Sequence, residues 1–204
     1  MRARRAALLA VVLAGACAGP RPATERRPED QGAVVAVSEL PERHRELLEA
    51  YGKGGAAWED ARRRALSDPE LARFLVDNLV VEWVRAWHGQ NAADPTRARR
   101  AFERARAELV RAGATGAPVL AQLLDIGDSV VAELAADVLL RIDPAPVAEV
   151  AELLGSPEGE TRRRAAALLA RLGADPEADE RAREALARLA HADPEWTVRA
   201  EAAA

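Results

Sequence analysis

The feature that most constrains this chain is a stretch, residues 114–172, that says the same thing twice. Val131-Ala132-Glu133-Leu134-Ala135-Ala136-Asp137-Val138-Leu139 returns thirty positions later as Thr161-Arg162-Arg163-Arg164-Ala165-Ala166-Ala167-Leu168-Leu169. A third copy opens thirty-seven positions after that, at Val198-Arg199-Ala200-Glu201-Ala202-Ala203. Each copy holds a β-branched residue, an Ala-Ala pair and, in the first two, leucines at helical spacing. A fixed period of this size marks repeat architectures, in which one supersecondary unit stacks on the next. Small alanines let helices approach closely, and the leucines fill the space between layers.

The punctuation agrees with the repeat. Ser156-Pro157-Glu158 and Asp193-Pro194-Glu195 each end three residues before the β-branched position. Ser or Asp accepts hydrogen bonds from free first-turn amides, Pro tolerates the first helical position, and Glu suits the positive end of the helix dipole. Asp68-Pro69, Asp94-Pro95, Asp143-Pro144 and Asp175-Pro176 repeat that start signal, and Gly113, Gly127, Gly155 and Gly173 read as stops. The expected helix pairs are 116–124 with 129–141, 144–154 with 158–172, and 177–191 with 194–204. No run alternates polar and apolar residues in the manner of a strand.

Gly116-Ala117-Pro118-Val119-Leu120-Ala121-Gln122-Leu123-Leu124, followed by a turn and a Val-x-x-x-Ala-Ala-x-x-Leu helix, resembles the HEAT-like repeat of the phycobilisome-lyase type. The resemblance covers residues 113–204, as about two and a half to three repeats. It implies an all-α fold: a right-handed α-solenoid of short antiparallel helix pairs with no β-sheet. It departs from the pattern in two places: Thr161 stands where Val is usual, and the third copy stops inside its second helix. Such repeats serve unrelated partners, so the resemblance speaks to fold more than to function.

The N-terminus reads as an address. Arg2, Arg4 and Arg5 precede a short apolar core, Ala6 to Ala14, which is too short to span a bilayer. Leu13-Ala14-Gly15-Ala16-Cys17 then resembles the lipobox of bacterial lipoproteins, although Ala14 stands where that family prefers Leu. The resemblance implies cleavage after residue 16, a lipid on Cys17, and anchorage in the bacterial cell envelope. Ala14-x-Ala16 also fits ordinary secretion, and that alternative stays open. Cys17 is the one cysteine, so no internal disulfide supports the fold. Losing the three leader arginines moves the net charge from −4 to −7, which argues against a nucleic-acid partner.

Residues 17–40 carry Pro20, Pro22 and Pro28 among charges, and they read as a disordered tether with one apolar patch, Val34 to Val37. Residues 41–112 form a separate helical segment. Its longest expected helix is Pro69 to His88, where Leu71, Leu75, Leu79, Trp83 and Trp87 continue one stripe. Gly52-Lys53-Gly54-Gly55 lacks phosphate-loop spacing and reads as a turn.

No constellation of catalytic or metal-ligating residues stands out, and His44, His88 and His191 show no compact metal-site spacing. The expectation is therefore a non-enzymatic scaffold without cofactor or metal. It binds an unidentified protein partner, attaches to the membrane through Cys17, and self-associates where the C-terminal end is open. In HEAT-like repeats the second helix of each pair lines the concave surface. That carries over to Arg162, Arg163 and Arg199 as candidate binding residues, with Trp196 beside them as an anchor or a cap. Two other readings remain: an accessory factor resembling the chromophore lyases, and a purely structural lipoprotein.

Overall fold

In the computed structural model, residues 40–89, 94–172 and 179–203 are described, and they form helices joined by short turns, with no strand among them. The leader, Cys17 and the tether with its Val34–Val37 patch lie outside the described residues, as do Gly173 and Asp175-Pro176. The chain divides into two compact units between Glu108 and Leu109. None of the described helices is long and apolar enough to cross a membrane.

The first unit holds α1 (Glu42–Lys53), α2 (Gly55–Ser67), α3 (Pro69–His88) and most of α4 (Pro95–Ala112). Only Gly54 separates α1 from α2, and it turns the chain at a φ of 69° that an L side chain rarely adopts. Asp68 caps α3 as the Asp-Pro signal requires: its Oδ1 accepts from the amides of Glu70 at 2.9 Å and Leu71 at 3.2 Å. The apolar stripe of α3 is the centre of this unit. Val76, Val80 and Trp83 have no exposed surface, and Leu75, Leu79 and Val84 are almost as deep. Trp83 stacks on Phe102 of α4 with ring centroids 5.8 Å apart, inside the core. Glu108 is buried and receives Arg62 Nη1 at 3.1 Å.

The second unit begins with a 3-10 turn at Gly113–Thr115. Then follow α5 (Ala117–Leu123), α6 (Ser129–Leu139), α7 (Val147–Ala151, running into a 3-10 turn at Glu152–Gly155), α8 (Gly159–Leu172), α9 (Asp179–Ala192) and α10 (Trp196–Ala202). α5 packs on α6, α7 on α8, and α9 on α10. First helices also pack on first helices, α5 on α7 and α7 on α9, while α8 packs on α10. The repeated β-branched residues Val131, Thr161 and Val198 are all buried, as are Ala135, Ala165 and Ala166 from the alanine pairs.

One expected start fails. Asp143-Pro144 does not open a helix; residues 143–146 are irregular, the Asp143–Pro144 bond is cis, and α7 begins at Val147. The reason lies two residues on. Pro146 disfavours helical backbone at Ala145, the residue before it, and the helix starts just after Pro146.

Candidate functional site

The arginine run Arg162-Arg163-Arg164 sits in the first turns of α8; Arg163 and Arg164 share Glu160, and each of the three also reaches a partner of its own. Arg164 Nη1 reaches back to the carbonyls of Leu124 and Ile126, at 3.1 and 3.2 Å, in the turn between α5 and α6. Thr161 Oγ1 donates to Asp125 Oδ1 in that same turn, at 2.6 Å. Arg163 pairs with Glu160 at 2.8 Å and lies 3.6 Å from Glu201 of α10.

Arg162 reaches forward. Its Nε and Nη2 donate to the two carboxylate oxygens of Asp193, at 2.7 and 2.9 Å, and its Nη1 donates to the carbonyls of Ser156 and Pro157, both at 3.0 Å. Asp193 is buried, and Arg162 keeps only 8% exposure. The guanidinium holds the Asp193 carboxyl below its ordinary range, and the bonded carboxylate raises the Arg162 pKa in turn. This corrects the sequence expectation for Arg162. It does not stand on an open binding face, because its donors fasten the turn before α10 to the turn before α8.

α10 repeats the arrangement thirty-seven positions later. Arg199 Nη1 donates to the carbonyls of Asp193, at 2.7 Å, and Pro194, at 3.2 Å. These two positions correspond to Ser156 and Pro157 under Arg162. The cap recurs as well: Glu158 N donates to Ser156 Oγ at 3.2 Å, and Glu195 N to Asp193 Oδ1 at 2.9 Å. The forward half is different. Among the described residues, nothing accepts from Nε or Nη2 of Arg199, the edge that in Arg162 holds a carboxylate.

Trp196 stands where the previous copy has Gly159. Gly159 is buried beneath Glu195, and a Cβ there would lie 1.7 Å from Glu195 Oε1. A side chain at that position would make the Glu195 carboxylate swing aside. Trp196, by contrast, is 71% exposed, so it does not cap the core of this chain. Three residues apart on a helix, Trp196 and Arg199 share a face.

Two clefts accompany these features. A shallow one of about 180 Å³ lies between α6 and α8, lined by Ala132, Ala136, Arg163, Ala167 and Arg171 among others. A larger one of about 610 Å³ lies in the first unit among α1, α3 and α4, with Leu48, Tyr51, Leu79 and Ala101 as its apolar walls and Arg85 and Arg97 contributing charge. Sequence periodicity gave no sign of the larger cleft, since its walls come from three helices whose angles a sequence does not state. Among the described residues, no group of three His, Cys, Asp or Glu side chains is placed to hold a metal ion.

Sequence reasoning named Arg162, Arg163, Arg199 and Trp196 but missed Asp193 and Gly159 as their counterparts. The signal was present in the matching Ser156-Pro157-Glu158 and Asp193-Pro194-Glu195 triplets, which read as caps and serve also as acceptors between copies. No family model matches the chain, and no curated protein or solved structure is detectably similar to it.

Proposed function

We propose that this chain is a lipoprotein of the bacterial cell envelope, anchored at Cys17, whose second unit is a HEAT-like stack of helix pairs that holds another protein. The stacked-pair reading draws support from the packing of first helices on first helices, and from the Arg162 and Arg199 bonds that recur at one offset. Protein binding rests on one observation above the others: a tryptophan 71% exposed, on the same helix face as an arginine with an unengaged edge. Trp and Arg are the residue types that most often anchor protein interfaces. A stacked helical surface offers such a partner an extended, rigid platform without moving parts.

The test is crosslinking in intact envelopes followed by purification, comparing wild type with Trp196→Ala. A stoichiometric partner that is reduced in the variant supports the reading. The absence of any partner in both sinks it. The anchor is tested separately by mass spectrometry of the mature N-terminus: a diacylglyceryl-modified Cys17 is expected, and an unmodified N-terminus after residue 16 would point to plain secretion.

A further inference from the structure

We propose that the Nε/Nη2 edge of Arg199 is a receptor for a carboxylate on an acidic segment of a partner protein, with Trp196 packing against the residues beside that carboxylate. The proposal rests on the protein-binding reading above and specifies the chemistry of the partner.

The chain contains its own precedent. Arg162 shows what this side chain does when complete: Nη1 is pinned by two carbonyls of its own turn, and the opposite edge takes both oxygens of an aspartate from the next turn. Arg199 has the same two carbonyl bonds in place. The guanidinium is planar and rigid, so fixing Nη1 also aims the other edge. A side chain already held in its bound geometry loses less entropy when the carboxylate arrives. Two parallel N–H···O⁻ bonds are among the strongest and most directional polar contacts available.

Trp196 decides what kind of segment can bring that carboxylate. In the preceding copy the Glu195 carboxylate lies over Gly159, the position that Trp196 takes in α10. An indole fills that space. The acceptable ligand is therefore an acidic residue on a segment that approaches along the indole face, with proline or an apolar side chain next to it.

The experiment uses the full chain, immobilised, and a displayed library of random twelve-residue peptides. Enriched peptides are synthesised together with forms in which each Asp or Glu becomes Asn or Gln. We expect the enriched peptides to share an acidic residue next to proline or an apolar residue, and the amide forms to bind about tenfold more weakly or worse. Arg199→Gln should lose the binding, and Arg199→Lys should restore little of it, because an ammonium lacks the two-donor edge. Trp196→Ala should weaken it with no change in melting temperature. If Arg199→Gln loosens the turn, the acid-to-amide comparison on wild type still decides. Peptides that bind equally well as amides, or equally well to Arg199→Gln, overturn the receptor but leave the protein-binding reading standing. No enrichment of any peptide overturns both.

Discussion

Thr161 Oγ1 donates a 2.6 Å hydrogen bond to Asp125 Oδ1, and it does so from a buried position that Val131 and Val198 occupy in the neighbouring copies. The departure from valine is thus a polar tie between one copy and the turn of the copy before it. Asp125 is exposed, and Ser156 Oγ, at 3.3 Å, is its other partner here. Thr161→Val keeps the shape and removes the bond, so it should cost about 1 kcal/mol in urea unfolding. A double-mutant cycle with Asp125→Ala should return a coupling of at least about 0.5 kcal/mol. Additive single effects would show that the bond contributes nothing.

The Arg162–Asp193 pair makes stability depend on pH with a definite sign. Asp193 is held below its ordinary range by Arg162, so its contribution is present above the unfolded carboxylate pKa of about 4 and is lost as pH falls through the lower folded value. Asp193→Asn removes one partner from a buried pair and should cost about 3 kcal/mol at pH 7. The gap between wild type and variant should narrow as pH falls below about 4, because the protonated aspartate then resembles the amide. A gap that stays constant down to pH 2 would show that the ionised carboxylate is not what stabilises the turn.

These residues also show how far the sequence could be read. α3 was legible because two independent signals coincide: the Asp68-Pro69 cap and a stripe from Leu71 to Trp87. The copies were legible because Val131, Thr161 and Val198 mark one buried position. Asp143-Pro144 misled because its local signal equals that of Asp68-Pro69, whereas the Pro146 beyond it disfavours helical backbone at Ala145. Arg162 misled for a different reason. Helical geometry gives the direction of a side chain, but the carboxylate that buries it lies thirty-one residues away on another turn. Long-range partners of this kind follow from packing and leave no local period.

The α1–α2 corner separates conformational from steric cost. Gly52 lies inside α1, and Gly54 lies at φ 69°, with nothing within 4 Å of a Cβ at either site. Gly52→Ala should therefore stabilise the protein by about 0.5 kcal/mol through helix propensity. Gly54→Ala should destabilise it by about 1 kcal/mol, because an alanine must hold a left-handed backbone conformation. Thermal melts of the two variants should shift in opposite directions; shifts of the same sign would mean that the corner relaxes freely.

Two tryptophans should respond very differently to the same truncation. Trp83 has no exposed surface and stacks on Phe102, so Trp83→Ala removes a large buried side chain from the centre of the first unit. It should cost about 3–5 kcal/mol, enough to unfold a marginally stable domain. Trp196 is 71% exposed, and Trp196→Ala should change stability by less than about 0.5 kcal/mol. The contrast is also the control on which the binding experiments depend. A Trp196→Ala protein that melts with wild type but no longer holds an acidic peptide has lost a contact surface and kept its fold. One that melts several degrees lower would make Trp196 a packing residue and remove it from the proposed receptor.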